Sequence, residues 1–153
     1  MEQTFIILKP STISRSLVGD VLTRFQRKGL RIAGIKMMQL NEKILREHYA
    51  HLVERPFFHM IVDSMMATPV IVMVLEGKDA VEVVRTMVGA TNCRKAAPGT
   101  IRGDFGMSGQ ENIVHASDSH ENAIIEINRF FKPDEIFDYQ LPTISSIYAP
   151  DER

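Results

Sequence analysis

Apolar residues alternate along the chain between runs typical of strands and spacings typical of helices. Phe5 to Leu8 and Val70 to Leu75 are continuous apolar runs rich in β-forming residues, as strands buried on both faces require. Leu30 to Leu40 predicts a further strand. Apolar residues spaced three or four apart predict helices in five other stretches, which are Leu17 to Phe25, Glu42 to Val53, Phe58 to Met66, Ala80 to Val88 and Ala123 to Phe131.

Residues that begin and end helices flank these stretches. Gly29 follows two basic residues and predicts the end of the first helix, and Asn41 is a suitable N-cap for the second. Two capping boxes are also predicted, in which a side chain at the N-cap and a glutamate three residues later satisfy each other's backbone N–H groups. They pair Asp79 with Glu82 and Asp118 with Glu121, with Ser119 as an alternative cap.

A last short apolar pair, Ile113 and Val114, predicts a strand that ends at a single histidine, His115. The final helix begins a few residues later, so His115 is expected beside a helix N-terminus. Free backbone N–H groups and the helix dipole favour an approaching anion such as phosphate there. Neutral imidazole is a good nucleophile near neutral pH. Ser117 and Glu126 are predicted to hydrogen-bond to the ring and fix which nitrogen attacks, although a lone histidine near an apolar strand is usually structural.

The order of elements predicts the fold. Two strand–helix–strand units flank a helical pair, which fits a ferredoxin-like α/β sandwich of α+β type: a βαββαβ core with a four-stranded antiparallel sheet. Periodicity is lost between Gly89 and Glu111, which predicts a long loop, and long loops in compact domains are usually functional. With no linker or repeat, residues 1–153 are expected to form one domain.

Composition narrows the choice of partners. A hydrophobic content of 44% is ordinary for a globular protein, and a net charge of −1 gives no long-range attraction to nucleic acid or to an anionic membrane. A small anionic ligand held by local cations is favoured instead. One cysteine, no basic and apolar leader and no apolar run long enough to span a bilayer together predict a cytoplasmic protein.

A histidine that takes a phosphoryl group from a nucleotide needs cations for the polyphosphate and a flat apolar contact for the base. Each candidate also has a structural explanation, as a solvated lysine, a surface ion pair or a core aromatic, and only their joint occurrence favours a site. Neither a P-loop nor a dinucleotide-binding glycine motif is present. The candidates are Lys9, Arg85 and Arg102 as cations, Thr91 as a hydroxyl donor, Asn112 for a ribose or phosphate oxygen and Phe57 for stacking on a base.

The other histidines are not predicted to bind a metal. No cysteine or carboxylate cluster stands at ligand spacing from them, so none is expected to be a metal ligand. These residues are His48, His51 and His59 in the helical pair and His120 at the start of the final helix.

Several motifs resemble the nucleoside diphosphate kinase family, in which the histidine of an Asn-x-x-His-x-Ser-Asp-Ser segment carries the phosphoryl group. The segment Asn112 to Ser119 matches that signature throughout. The likeness extends over nearly the whole chain through Thr4-Phe5, Lys9-Pro10, His48-Tyr49, Arg55 to Phe58, Gly89 to Asn92 and Pro98 to Phe105.

The resemblance implies a ping-pong transfer of the terminal phosphate of a nucleoside triphosphate to a diphosphate. Stacking of the base on Phe57 would read no base edge, which predicts low base selectivity. The resemblance implies that His115 is phosphorylated, that Ser117 and Glu126 orient it, and that Mg²⁺ travels with the nucleotide phosphates, with Asp118 reaching it at most through water. It also implies a homo-oligomer, with a hexamer favoured over a tetramer by the tail containing Tyr139 and Tyr148. The implied nucleotide contacts are Lys9, Tyr49, Phe57, Arg85, Thr91, Arg102 and Asn112.

Three departures from the family pattern are local. Ser11-Thr12 stand where Asp followed by Gly or Ala is common, which questions the turn after the first strand. Cys93 replaces a usual proline, which predicts a looser long loop, and Ala67-Thr68 replace a common Ser-Gly. No departure removes a predicted phosphate or histidine contact.

Two other functions share these features. A non-catalytic nucleotide-binding relative could have the same fold, but a binder needs no nucleophile, which argues against it. A phosphohistidine phosphatase would form the same intermediate and pass its phosphate to water rather than to a diphosphate.

Overall fold

The computed structural model describes residues 1–153, which form four strands and eight helices. In chain order these are β1 Glu2–Leu8, α1 Pro10–Ser14, α2 Val18–Lys28, β2 Arg31–Met38, α3 Glu42–His48, α4 Phe58–Met66, β3 Val70–Gly77, α5 Ala80–Val88, α6 Ile101–Phe105, β4 Val114–Ala116, α7 His120–Phe130 and α8 Ile144–Ile147. Short 3₁₀ turns cover Ala50–Leu52, Pro133–Glu135 and Pro150–Glu152. No helix combines the length and the apolar character that crossing a membrane would need.

The strands form one sheet in the order β2-β3-β1-β4, and every pair is antiparallel. This confirms the predicted ferredoxin-like α+β fold, with β1, α2, β2, β3, α5 and β4 as its βαββαβ core. The register pairs Ile7 of β1 with His115 of β4. The predicted nucleophile therefore lies opposite a central strand.

Each face of β1 belongs to a different core, which explains why its apolar run is continuous. Ile6 and Leu8 pack with α2 and α5, whereas Phe5 and Ile7 pack on the other face, and all four are completely buried. Phe5 stacks on Phe130 of α7, with the ring centroids 4.6 Å apart. His115 lies on this second face, because its neighbours in β4 belong to the first core.

The predicted helix boundaries hold where a local signal sets them. Gly29 ends α2 at a φ of 105°, and Asn41 caps α3 by accepting a hydrogen bond from the backbone N–H of Ile44 at 2.9 Å. Helix α4 matches its prediction at both ends. Helix α3 was expected to reach Val53 but ends at His48, and a 3₁₀ turn follows.

Neither predicted capping box forms. Asp79 adopts a left-handed φ of 51° and makes no cap bond, and Glu2 instead accepts from the backbone N–H of Val81 at 2.9 Å. At α7 the cap is Ser119, which accepts from the backbone N–H of Asn122. Asp118 instead accepts from the side-chain amide of Asn122.

The stretch from Gly89 to Glu111 contains a short helix that the sequence did not predict. Thr100 caps α6 by accepting from the backbone N–H of Gly103 at 3.0 Å. Cys93, predicted to loosen this stretch, is buried and donates its backbone N–H to the Ser108 carbonyl at 3.1 Å. Proline at this position would lack that donor, so the cysteine allows a bond that ties the two sides of the loop together.

Candidate active site

Strained backbone precedes the histidine. Ile113 was predicted to be a strand residue, but its φ is 73°, and strand β4 begins only at Val114. The backbone N–H of Val114 bonds to the Asn112 carbonyl at 2.8 Å, which closes a three-residue turn. A β-branched residue in this conformation costs on the order of 1–3 kcal/mol and needs a surrounding structure that holds it.

Two donors hold the strained turn through one acceptor, the carbonyl oxygen of Ile113. The backbone N–H of Lys9 donates to it at 3.0 Å, and the Thr12 hydroxyl donates to it at 2.5 Å. Thr12 is completely buried. The Ser11-Thr12 departure therefore supplies a hydroxyl that fixes the backbone two residues before His115.

Thr12→Val is expected to lower the free energy of unfolding by about 1–3 kcal/mol, because it leaves a buried carbonyl with one donor fewer and keeps the side-chain volume. Equilibrium urea unfolding measures the change. Thr12→Ser, which keeps the hydroxyl, is the matched control and should lose less stability. A Val variant as stable as the parent protein would mean that Lys9 alone holds the turn.

His115 presents one nitrogen to Glu126 and leaves the other free. Its Nε2 lies 2.6 Å from Glu126 Oε2, and a carboxylate only accepts, so Nε2 carries the proton. Nδ1 is then the nitrogen with the free lone pair, and it has no hydrogen-bond partner in the protein. The side chain is 22% exposed. The arrangement suits an oriented nucleophile whose partner stabilises positive charge on the ring.

Ser117 does not contact the ring, contrary to the expectation that it orients His115. Its hydroxyl is completely buried, accepts from the backbone N–H of Phe5 at 3.3 Å and lies 3.4 Å from the Phe5 carbonyl. Ser117 therefore ties the end of β4 to β1. It acts on the position of the strand rather than on the imidazole.

His48, which the sequence assigned no role, packs directly on His115. The ring centroids are 4.6 Å apart with the planes at 78°. Burial, then His115 and Arg129, lower the pKa of His48 to about 2, so its ring is neutral. The only sequence signal for it was its place beside Tyr49 in a motif that resembles the family.

Lys9 and Arg102 are the cations nearest to the strained turn. Lys9 Nζ donates to Asn112 Oδ1 at 2.6 Å, and burial followed by the charge of Arg102 lowers the pKa of Lys9 to about 8. Arg102 donates to three carbonyls, those of Gly89, Asn112 and Val114. Guanidinium has five N–H groups, so two remain for a ligand. Burial lowers the pKa of Arg102, but arginine stays charged near neutral pH.

Asn112 has a structural role beyond the one predicted for it. Its amide nitrogen donates to the carbonyls of Thr91 and Gly109 at 3.1 and 3.0 Å, and its oxygen accepts from Lys9. Both amide hydrogens are engaged, so they are not free for a ribose or phosphate oxygen. Asn112 fixes the Lys9 ammonium and both sides of the long loop.

The predicted residues line two neighbouring cavities. The first, of about 590 Å³, has His115 in its wall, and the second, of about 380 Å³, contains Phe57 with Leu52 and Ile61. Phe57 therefore does not line the cavity of His115. Predicted residues in the first cavity are Lys9, Tyr49, Arg85, Thr91, Arg102, Asn112, His115 and Glu126, and those shared with the second are Lys9, Tyr49, Thr91 and Asn112.

Charge distinguishes the His115 cavity from a larger, more open depression of about 670 Å³ on the other side of Arg85. That depression is lined by four carboxylates, which repel a phosphate, and by one arginine; the carboxylates are Glu2, Asp79, Glu82 and Asp118. The His115 cavity instead carries four cationic side chains, Lys9, Arg85, Arg102 and Arg129, against three carboxylates. A polyanion is favoured only in the His115 cavity.

Ligand atoms of His48, His115 and Glu126 lie within 4.8 Å of one another, a donor set that zinc sites use. An Arg129 nitrogen lies 3.1 Å from His48 Nδ1, so that lone pair is engaged and a positive charge stands beside the group. The arrangement is unfavourable for a resident cation. Asp118 is a separate carboxylate in the cavity wall, and its hydrogen bond from Asn122 holds its pKa below the usual range.

Comparison with known proteins gives one consistent family. The family model described as nucleoside diphosphate kinase matches residues 2–136. A nucleoside diphosphate kinase from Parabacteroides distasonis is 62% identical over 152 residues, which cover 99% of each chain. One from Pyrococcus horikoshii is 50% identical over 141 residues, which cover 90% of each chain. A solved nucleoside diphosphate kinase from Halobacterium salinarum in complex with CDP superposes with a TM-score of 0.93 at 41% identity, covering 97% of this chain and 99% of that one.

Proposed function

This chain belongs to the nucleoside diphosphate kinase family of phosphotransferases, which move phosphate between nucleoside triphosphates and diphosphates, and we propose that it does so through a phosphohistidine on His115. The observation that carries the proposal is the free Nδ1 of a ring whose Nε2 is held by Glu126 at 2.6 Å. A binding protein would need neither a nucleophile nor the group that orients it.

In the first half-reaction, the Nδ1 lone pair attacks the γ-phosphorus of a triphosphate. The Nδ1–phosphorus bond forms, the bond to the β–γ bridging oxygen breaks, and the diphosphate leaves with the electron pair. Glu126 stabilises the positive charge that the ring acquires. A second diphosphate then attacks the phosphohistidine, and the histidine is regenerated.

Lys9 and Arg102 supply the charge that phosphoryl transfer requires. Both border the His115 cavity, and Asn112 and the loop carbonyls hold them in place. Fixed cations stabilise charge on the transferred group without reorganising during the reaction. Arg85 and Thr91 line the same cavity and would hold the inner phosphates.

Mg²⁺ is proposed to arrive with the nucleotide. The chain offers no cage of oxygen ligands in this cavity, and Asp118 is the carboxylate whose lowered pKa keeps it charged there. Mg²⁺ keeps much of its water shell, so Asp118 would reach it through water. When bound, the ion would neutralise part of the negative charge of the β- and γ-phosphates.

The working unit is proposed to be a homo-oligomer, with a hexamer favoured over a tetramer. Ile35 and Met37 are 47% and 59% exposed on β2, an edge strand of the sheet, which supports contact with another copy. Sedimentation velocity measures the assembly. A monomer at micromolar concentration would overturn this part.

The direct test separates transfer from binding and from hydrolysis. The protein is incubated with γ-labelled ATP and Mg²⁺, isolated and then treated with GDP. Acid-labile label that moves to GTP is expected. Label lost as free phosphate would indicate a phosphohistidine phosphatase, and ATP binding without label would indicate a binding protein.

Alkaline pH should weaken capture of the triphosphate. Burial lowers the pKa of Lys9 to about 8, and the lysine is charged only below its pKa. The kcat/KM for ATP is therefore expected to fall as pH rises through about 8. In Lys9→Arg, which stays charged, that fall should disappear whatever the absolute rate. An unchanged alkaline fall in that variant would assign it to another group.

Base selectivity is proposed to be low. Phe57 offers a flat apolar surface with Leu52 and Ile61, and stacking does not distinguish base edges. The kcat/KM values for ADP, GDP, CDP and UDP as acceptors should lie within about tenfold, and Phe57→Ala should raise KM for all of them. A larger preference for one base would contradict the stacking model.

A further inference from the structure

Arg129 lies on α7 one turn after Glu126 and reaches the buried ring of His48. One of its terminal nitrogens is 3.1 Å from His48 Nδ1. Guanidinium only donates hydrogen bonds, so Nδ1 must accept. The proton of the neutral His48 ring is therefore on Nε2.

One oxygen faces both imidazoles. Glu126 Oε2 is 2.6 Å from His115 Nε2 and 3.4 Å from His48 Nδ1. For a proton on His48 Nδ1, this same oxygen would be the nearby carboxylate acceptor, so the two rings would compete for it. By occupying the Nδ1 lone pair, Arg129 removes that competitor.

Without Arg129, the surroundings of His48 would favour the tautomer with the proton on Nδ1. His48 Nε2 is buried without a hydrogen-bond partner, and an unpaired buried N–H is costly. Moving the proton to Nδ1 would remove the unpaired N–H and place the proton on the nitrogen 3.4 Å from Glu126 Oε2. The rings around His48 belong to Phe5, Phe130, Tyr49 and His115, and the charged or titratable groups beside it are Glu126, Arg129, Lys9, Tyr49, His51 and His115.

We propose that Arg129 is a positioning residue that selects the His48 tautomer and so reserves the Glu126 carboxylate for His115. With the carboxylate reserved, His115 keeps its proton on Nε2 and its lone pair on Nδ1. Sharing the carboxylate would let His115 populate the tautomer with the proton on Nδ1, which cannot attack phosphorus. The kinetic part of this inference rests on the proposed function of His115.

Kinetics of three variants test the coupling. At saturating ATP, Arg129→Met should slow phosphorylation of His115 about five- to tenfold in a single turnover, so that the rate reports the histidine and not the loss of a cavity cation. His48→Phe removes the proton that competes for Glu126, so it sets the reference rate for a site without that competitor. The double variant Arg129→Met/His48→Phe should be faster than Arg129→Met and within about twofold of His48→Phe.

A purely structural role for Arg129 predicts a different result. The double variant would then be at least as slow as Arg129→Met, and that outcome would overturn the proposal. Asn128→Ala, at the exposed neighbouring position on α7, is the matched control and should have no effect. Thermal melting of each variant shows whether it is folded at the assay temperature.

Imidazole ¹⁵N NMR tests the tautomer without any nucleotide. Two-bond ¹H–¹⁵N correlations should show His48 protonated on Nε2 in the wild type and on Nδ1 in Arg129→Met. Wild-type protonation on Nδ1 would overturn the inference. If the NMR shows these two His48 tautomers but the protein transfers no phosphate, the proposed function is overturned. The tautomer assignment then remains supported.

Discussion

His115→Ala is expected to form no acid-labile phosphoenzyme and to lose nucleotide exchange by about 10⁴-fold or more. No other protein nitrogen in the cavity combines a free lone pair with a partner that stabilises positive charge. The cations Lys9, Arg85 and Arg102 remain, so the affinity for ADP should change by less than about threefold. Steady-state exchange, acid-quenched labelling and calorimetric titration of ADP measure these three quantities.

Removing the imidazole leaves Glu126 without its closest donor, and the Glu126 side chain is only 10% exposed. A buried unpaired carboxylate is destabilising, so thermal melting must accompany the assay. His115→Gln offers an amide donor to Glu126 and separates loss of the nucleophile from loss of fold. His51→Ala, at the rim of the same cavity, is the control for a histidine without these contacts and should exchange normally. Exchange by folded His115→Gln at more than about a tenth of the wild-type rate would reject His115 as the nucleophile.

Features that one stretch of chain determines could be predicted from the sequence. Strand β1 is a short apolar run buried on both faces, Gly29 adopts the left-handed conformation that its residue type favours, and Asn41 caps the helix that follows it. The order of these elements was enough for the sheet topology. It also brought together Lys9 and His115, which are far apart in sequence, because β1 and β4 are neighbouring antiparallel strands. Arg102 reaches the same place from α6, which the sequence did not predict.

Features that depend on distant partners could not be predicted. Asp79 was expected to cap α5, but the helix is capped at the Val81 N–H by Glu2, which is 79 residues from Val81 in sequence. Ser117 was expected to contact the nearby ring, yet its hydroxyl bonds to Phe5, 112 residues away. The left-handed conformation of Ile113 contradicts its residue preference and persists because Lys9 and Thr12 hold its carbonyl. The residues around one position do not show which distant group will form its hydrogen bond.

The helical pair shows the same limit. His48 was predicted not to be a metal ligand, and no spacing rule connects it with His115. His48 is the last residue of α3, and its ring packs on His115 of β4. Most helical stability in proteins comes from tertiary packing, so apart from its place beside Tyr49 no local pattern placed His48 in the site.

Glu126→Gln should lower the rate of His115 phosphorylation by about 10²- to 10⁴-fold while leaving the fold and the nucleotide contacts intact. Glutamine has the same shape but no charge, so the ring loses the stabilisation that a phosphorylated, positively charged imidazole requires. Its amide N–H can also donate to His115 Nε2, which moves the ring proton to Nδ1 and blocks the attacking lone pair. In serine proteases the equivalent loss of tautomer control costs about 10⁴-fold.

Single-turnover labelling with γ-labelled ATP gives the rate, and imidazole ¹⁵N NMR gives the His115 tautomer in the same variant. Glu121→Gln, an exposed substitution in the first turn of the same helix, is the matched control and should leave both unchanged. A slow Glu126→Gln enzyme with the proton still on Nε2 would assign the whole effect to lost charge stabilisation. A rate within about threefold of wild type would mean that the 2.6 Å contact holds the ring without controlling its chemistry, and that strand β4 alone aims the nucleophile.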